Sequence, residues 1–372
     1  MAKKPASLLP QLPTPNTDRI NLAVPVFLAA LNRCFGLSEL AQLRECINSI
    51  KTEFASPSGL LACAEPAVDT EAVGREYVLG ELDQILAAQT LDRAKYYVQR
   101  LLRSFSETRF APYSEINLNR WKEYSDLITD SLWLIDQRDR SGAHSASYWG
   151  NFVPQIPYQL MRRFTRAGEW VIDTFAGSGT TLIEGQRLGR NTIGVELQAH
   201  MVEHIRTLIH TEPNPHHTVA EVHHGDALTT DYQALLDAHG VAQADLAILH
   251  PPYHDIIQFS TDERDLSNSP SVRQFVGQMA DLAERVGAVL GKGRTLALII
   301  SDKYSQGQWI PLGFLTMEAM LARGYSLKSI VVKNFDETAG KRSKHELWRY
   351  RALAGGFYVF KHEYIFLLRR SG

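Results

Sequence analysis

The sequence predicts an α/β fold, a doubly wound and mostly parallel sheet with one antiparallel edge strand, preceded by a helical N-terminal domain. Three observations carry this. Strand-like apolar runs recur through the C-terminal part, most of them separated by helical patterns. Several of these runs, LAILH and TLALII among them, are apolar at almost every position, as strands buried on both faces are. The N-terminal region instead repeats apolar residues at three- and four-residue spacing.

Residues 1–18, rich in Pro, Ser and Thr, read as a flexible lead-in. Residues 19–144 read as helical, through LAVPVFLAALNRCF, SELAQLRECINSI, EYVLGELDQILAAQ, DRAKYYVQRLLRSF and RWKEYSDLITDSLWLI. The segment FASPSGLLACAEPAVDT (54–70) reads as a loop between two of these helices. RSGAHSASYWGN (140–151) has little periodicity and marks the passage to a second domain over 145–372. There EWVIDTF, RNTIGVEL, EVHHGDAL, ADLAILH, RTLALIIS, LKSIVVKNF and GFYVFKHEYIFLLR read as strands. The last two lack a clear helix between them, which puts the antiparallel strand at an edge.

The 372 residues are 44% hydrophobic and 22% charged, enough for a substantial core. A net charge of −2 excludes a wholly basic nucleic-acid coat and permits a local basic face. Cys34, Cys46 and Cys63 form no CxxC pair, so a reduced, cytoplasmic chain is expected. No apolar run approaches the roughly 18 residues of a membrane span, and MAKKPASLLPQLP lacks the apolar stretch of a signal peptide.

Chemistry concentrates first in VIDTFAGSGTTLIE (171–184). A strand runs into Gly177 and Gly179 and then into a helical pattern, the turn where α/β sheets bind ligands. No Lys follows as in a phosphate-binding Walker loop, and Leu182 stands where a dinucleotide fingerprint needs Gly or Ala. The residues suit a ligand with a carboxylate, an amine and a ribose. Asp173 faces an amine, the helix start at Thr180–Thr181 a carboxylate, and Glu196, ending the next strand, two ribose hydroxyls. Asp226, ending the third, accepts from an adenine amine. Together they describe S-adenosylmethionine. Read singly, Gly-x-Gly is an ordinary turn and an Asp after a strand a helix cap.

The strand ADLAIL then enters His250-Pro-Pro-Tyr253. This segment resembles the D/N/S-P-P-Y/F motif of the amino-group DNA methyltransferases, which methylate N6 of adenine or N4 of cytosine. VIDTFAGSGTT resembles their cofactor motif, NFVPQIP (151–157) the segment that closes over the methionine end, and KHEYIFLLRR (361–370) their last strand. The resemblance covers about 145–372 and implies the Rossmann-like sheet of AdoMet methyltransferases. It brings Asn151, Pro154, Gln155 and Phe175 to the cofactor beside the residues already named. It gives the Pro251 carbonyl and the His250 side chain the role of acceptors for the two N–H hydrogens of the target amine. Pro251 and Pro252 stiffen the segment, and Tyr253 stacks on the base. Such acceptors free a lone pair otherwise delocalised into the base. A target inside a duplex must be flipped out.

His250 departs from the usual Asp, Asn or Ser and leaves the base open, with adenine N6 slightly favoured over cytosine N4. Only neutral imidazole can accept, so activity is expected to fall as pH drops through about 6.5. Plain strand-to-turn punctuation is the structural alternative for Pro-Pro.

Segment 333–351 has six Lys or Arg against three Asp or Glu, net +3, with Lys341, Arg342, Lys344, Trp348 and Arg349 suited to phosphates and bases. A solvated surface loop is the alternative. HDIIQFSTDERDLSN (254–268) is expected to wall the base site. Arg93, Lys95, Arg100, Arg103 and Arg109 crowd Tyr96 and Tyr97, either as a second DNA-facing surface or as the solvated side of a helix. His200 and His204 have a spacing zinc can use, but no HExxH accompanies them and no metal is expected. The expected substrate is double-stranded DNA with a flipped base, and no membrane is involved. A homodimer and a partner defence or restriction subunit are both open, as are an RNA amine substrate and a non-catalytic AdoMet- and nucleic-acid-binding module.

Overall fold

The computed structural model describes residues 18–55, 61–63, 69–144, 150–335 and 345–371. The described residues fall into two compact units, 18–112 with 116–127 and 113–115 with 128–371. Residues 128–144, grouped with the helices by sequence, thus belong to the second unit.

The first unit holds strand β1 (Arg19–Ala23), helices α1 (Val24–Phe35) and α2 (Leu40–Ala55), strands β2 (Ala62–Cys63) and β3 (Thr70–Gly74), and helices α3 (Arg75–Leu86) and α4 (Leu91–Ser106). Helix α1 buries Phe27, Ala30, Leu31 and Cys34, the stripe its spacing predicts, and Thr90 caps α4 by accepting from the Arg93 N–H. Two expectations fail here. The supposed loop supplies β2 and only the first residue of β3. Both strands pair antiparallel with either side of β1, so the unit is not purely helical. Residues 120–135 are also not a helix. A 3₁₀ turn spans Leu118–Glu123, and Arg120 leaves helical geometry while buried against Glu123 and Glu71. The expectation of reduced thiols fails as well for one pair. Cys34, at the end of the α1 stripe, is disulfide-bonded to Cys46 of α2 at a Cα–Cα distance of 5.6 Å.

The second unit runs β4 (Leu132–Trp133), α5 (Gln155–Phe164), β5 (Trp170–Asp173), α6 (Thr180–Leu188), β6 (Asn191–Glu196), α7 (Ala199–Thr211), β7 (Ala220–His224), α8 (Tyr232–Asp237) and β8 (Ala244–Leu249). It continues through α9 (Val272–Val289), β9 (Leu290–Ile300), the hairpin β10 (Lys303–Ser305) and β11 (Gln308–Ile310), α10 (Leu312–Leu321), β12 (Tyr325–Asn334), α11 (His345–Gly355) and β13 (His362–Arg370). Eight strands form one sheet in the order β4-β12-β13-β9-β8-β5-β6-β7. Only β13 is antiparallel to its neighbours, and it lies between β12 and β9. The expected antiparallel edge strand is therefore internal, and α11 precedes it. The short parallel strand β4 takes the edge beside β12.

Apolar residues alternate between the faces of this sheet. Ala247 and Leu249 of β8 join Leu296 and Leu298 of β9 in one core, while Leu246 and Ile248 join Ala297 and Ile299 in the other. Burial on both sides explains why these strands read as unbroken apolar runs. The chain leaves β5 for β6 and β7 on one side and returns to β8 on the other. That reversal sets the carboxyl ends of β5 and β8 next to each other, with Asp173 level with Ile248.

Candidate functional site

The glycine turn follows β5 directly. Gly177 and Gly179 have φ of 56° and 79°, left-handed values that favour glycine. A Cβ on Gly179 would stand 2.9 Å from Ile205, so α7 also needs the position bare. Asn151 braces the turn, donating to Ser178 Oγ and accepting from Thr180 Oγ1 at 2.8 Å. Pro154 is buried at the start of α5. The Gln155 amide is engaged elsewhere, donating to the Gln137 carbonyl at 2.7 Å and accepting from the Asp139 N–H at 3.3 Å. It holds residues 137–139 in place.

Two buried carboxylates stand at adjacent strand ends. Asp173 Oδ1 accepts from the Phe175 N–H at 3.0 Å, while Oδ2 is buried and has no hydrogen-bond partner among the described residues. Burial pushes the Asp173 pKa up to about 6, against the pull of the Phe175 N–H. Glu196 accepts from the Gly177 N–H through Oε2 and from the Gln198 N–H through Oε1, each at 2.9 Å. Burial pushes its pKa up to about 7, and the neighbouring charges of Asp173 and Asp265 add to the rise. A buried acceptor without a donor is costly and suits a ligand that brings one. Asp226, half-buried, accepts from the Leu228 N–H at 2.8 Å and shapes the turn after β7. Phe175 is half-buried between Asp173 and the glycines.

The β8 end carries the His-Pro-Pro-Tyr segment. His250 packs edge-on against Phe152, with ring centroids 4.9 Å apart. Its Nε2 lies 3.0 Å from the Tyr253 hydroxyl, which lies 2.7 Å from Glu363 Oε2. Glu363 Oε1 in turn faces Lys333 Nζ at 3.1 Å. Lys333 and Glu363 are cross-strand partners in β12 and β13 and are almost fully buried. The ammonium of Lys333 helps hold the Glu363 carboxyl below its usual range despite burial. Burial lowers His250 to a pKa of about 4, with Glu363 opposing and Lys333 reinforcing. That direction keeps the imidazole neutral to lower pH and moves the expected loss of function below about 6.5.

His254 follows in a left-handed conformation, φ 54°. Its Nε2 reaches the Ser269 carbonyl at 2.9 Å, and its Nδ1 accepts from buried Lys303 at 2.8 Å. Lys303 also pairs with Asp255. These contacts pin residues 254–269 beside the motif. A Cβ on Gly150 would lie 2.7 Å from the Phe259 ring, so that segment packs directly on the residue before Asn151.

Sequence reasoning named neither Glu363 nor Lys333, nor the group of His254, Asp255 and Lys303. A charged residue inside an apolar strand was the available signal, in SIVVKNF and KHEYIF. Asp139, His144 and Glu184 bring potential ligand atoms within 4.8 Å of one another, but Arg187 bonds to both carboxylates and supplies the cation.

Of the suggested nucleic-acid contacts, Lys341, Arg342 and Lys344 lie outside the described residues. Trp348 and Arg349 lie on α11, Trp348 half-buried under the Arg351 guanidinium at 5.2 Å and Arg349 exposed. In the first unit, Arg93 stacks on Tyr97 at 4.7 Å, Arg100 pairs with Glu81, and Arg103 lies 3.6 Å from Glu107.

Comparison with known proteins gives consistent matches. Residues 83–207 match the family model described as DNA methylase, of the N6/N4 amino-methylating kind. That match takes in the glycine turn and Glu196 and ends before His250. Type II methyltransferase M.MjaII of Methanocaldococcus jannaschii is 30% identical over 95 residues, 23% of this chain and 18% of that protein. Type II methyltransferase M.MthZI of Methanothermobacter thermautotrophicus is 31% identical over 91 residues, 24% of each chain. Type II methyltransferase M2.DpnII of Streptococcus pneumoniae is 30% identical over 100 residues, 26% of this chain and 34% of that protein. The chain therefore spans between 18% and 34% of the length of these curated relatives.

Proposed function

We propose an enzyme of the amino-group DNA methyltransferase family, which residues 83–207 and the curated relatives match, that methylates an exocyclic amine of a DNA base, N6 of adenine in preference to N4 of cytosine. The observation that carries the proposal is the row of Glu196, Asp173 and His250 at the ends of the adjacent strands β6, β5 and β8, where the sheet reverses direction and a buried Asp173 oxygen lacks a donor. When bound there, S-adenosylmethionine supplies an electrophilic sulfonium methyl.

The protein's part is binding and orientation. Asp173 Oδ2 takes an N–H of the ligand's ammonium, and the N-terminus of α6 faces its carboxylate. Glu196 keeps lone pairs for the ribose hydroxyls, and Asp226 lies at the adenine end. Neutral His250 and the Pro251 carbonyl accept the two N–H hydrogens of the target amine. Two prolines hold these acceptors in one geometry, so little reorganisation is needed at the moment of transfer. Trp348 and Arg349 of α11 engage the nucleic acid beside the site. Double-stranded DNA with the target base flipped out is the substrate, and the enzyme serves as the protective half of a restriction or phage-defence system. Among the described residues no helix is long and apolar enough to cross a membrane.

The test is to incubate the protein with unmethylated genomic DNA and S-adenosylmethionine, digest to nucleosides and read them by mass spectrometry. N6-methyladenine is expected. N4-methylcytosine alone would overturn the choice of base, and no methylated base despite cofactor binding would overturn the activity.

A further inference from the structure

The proposed chemistry needs an acceptor at His250, and neutral imidazole offers one only at the nitrogen that carries no proton. Which nitrogen that is depends on the hydrogen bond made by the other. The chain of contacts behind the ring decides it. Glu363 is ionised and can only accept, and its two oxygens have separate partners, Lys333 at Oε1 and the Tyr253 hydroxyl at Oε2. The single hydroxyl proton of Tyr253 therefore goes to Glu363. The tyrosine oxygen then presents only lone pairs to His250 Nε2, 3.0 Å away. That contact is a hydrogen bond only if Nε2 carries the proton, and Nδ1 is left with its lone pair.

We propose that Glu363 and Lys333 are positioning residues that fix the tautomer of His250 through the Tyr253 hydroxyl, making Nδ1 the acceptor for the target amine. This rests on the methyltransferase reading above. The arrangement is directional because every donor and acceptor has one permitted sense. Lys333 can only donate, Glu363 can only accept, and Tyr253 has one proton to give. Lys333 and Glu363 are themselves almost fully buried, so their pairing is held away from water. The order also explains how histidine can stand where the family carries Asp, Asn or Ser. The fixed lone pair replaces the acceptor oxygen that those residues would supply.

The pairing yields a sharp test. In Glu363→Gln, Lys333 still requires an oxygen, so the amide carbonyl stays with Lys333 and the NH₂ turns to Tyr253. The amide then donates to the tyrosine oxygen, the hydroxyl proton turns to His250 Nε2, and the imidazole proton moves to Nδ1. A donor now faces the target amine. In Lys333→Met/Glu363→Gln the amide is released to turn its carbonyl back to Tyr253, and the native sense returns. Tyr253→Phe cuts the relay and leaves a ring for stacking.

The tautomer is read from the imidazole ¹⁵N shifts of His250 in the full-length protein, and kcat is measured on DNA at saturating S-adenosylmethionine. The native protein should show the Nε2–H form. Glu363→Gln should show the Nδ1–H form with kcat down about 100-fold or more, the scale of a wrong-tautomer defect, and cofactor Kd within about twofold of native. The double variant should regain the Nε2–H form and at least about tenfold in kcat. Circular dichroism and melting curves check that each variant folds. If Glu363→Gln does not, Tyr253→Phe should show a mixture of tautomers in place of the single Nε2–H form, and an unchanged single Nε2–H form in it would overturn the relay. An Nδ1–H native protein, or a Glu363→Gln variant with unchanged tautomer, overturns the relay. If the tautomers switch as stated but the native protein methylates no nucleic acid, the relay stands and the methyltransferase reading falls.

Discussion

Asp173→Asn should stabilise the unliganded protein at alkaline pH while destroying its cofactor site. The Asp173 carboxyl goes from an ordinary pKa of 3.8 to about 6 in the fold, chiefly through burial. Because the folded value is raised, the native state binds the proton more tightly than the unfolded chain. The contribution to stability is fully present below about pH 4 and is lost as pH rises through about 6. At about 1.4 kcal/mol for each pH unit, the loss is about 3 kcal/mol by pH 8. Asparagine cannot ionise and escapes it. Its carbonyl can keep the Phe175 N–H contact. The wild-type curve alone would mislead, because His250, with its folded pKa lowered to about 4, contributes stability that is lost as pH falls from about 6.5 to about 4. The informative quantity is therefore the difference between variant and wild type, which cancels His250. Urea unfolding at pH 4.5, 6 and 8 should give a difference of about 1 kcal/mol in favour of Asp173→Asn at the lowest pH, growing to about 3 kcal/mol at the highest. Calorimetric titration of S-adenosylmethionine at pH 7.5 should show at least about 30-fold weaker binding, the cost of losing a buried charge partner. A variant less stable than wild type at pH 8, or one that binds the cofactor normally, would refute the reasoning.

Three further outcomes follow from the same geometry. At saturating cofactor, kcat should stay flat from pH 8.5 to 5.5, since His250 protonates only near pH 4; an inflection near 6.5 would show an imidazole open to water. Gly179→Ala should lower stability by about 1–3 kcal/mol, from a left-handed φ of 79° and a contact 2.9 Å from Ile205, and weaken cofactor binding; a melting curve and a binding titration check both. Arg349→Ala should weaken DNA binding without altering cofactor affinity and reduce the salt slope of log K by about 1, and a slope equal to wild type would remove Arg349 from the phosphate contacts.

Much of the second unit was legible because its strands are buried on both faces, which leaves unbroken apolar runs. The turn at Gly177 and Gly179 was legible because positive φ demands glycine. What failed has physical reasons. Residues 120–135 have helical spacing, but Arg120 is buried against Glu123 and Glu71, and Trp133 lies in β4 beside β12. Their apolar positions answer to different partners, which spacing cannot reveal. Strands β2 and β3 stayed hidden because they exist through pairing with β1. The place of β13 inside the sheet was equally a matter of pairing. Lys333 and Glu363 escaped notice for the same cause, since they are 30 positions apart and meet only through the register of β12 and β13.

The two halves of the site differ in how their polar groups are satisfied, and the difference bears on what each can do. At the glycine turn one carboxylate is under-supplied. Asp173 Oδ2 has no donor among the described residues, and both Asp173 and Glu196 are held at raised pKa values of about 6 and about 7. A ligand that brings an ammonium and hydroxyls relieves this cost, so part of its affinity comes from ending an unfavourable burial. At the His-Pro-Pro-Tyr end the polar groups behind the ring are matched one to one, from Lys333 through Glu363 and Tyr253 to His250. An incomplete half favours tight binding of a cofactor, and a completed half favours fixed orientation of a weak nucleophile. Exchanging these properties would harm both. A flexible acceptor would lose the alignment that methyl transfer needs, and a satisfied Asp173 would have no reason to hold an ammonium. Asp173→Asn and Glu363→Gln therefore belong to separate classes of defect, one in cofactor Kd and the other in kcat.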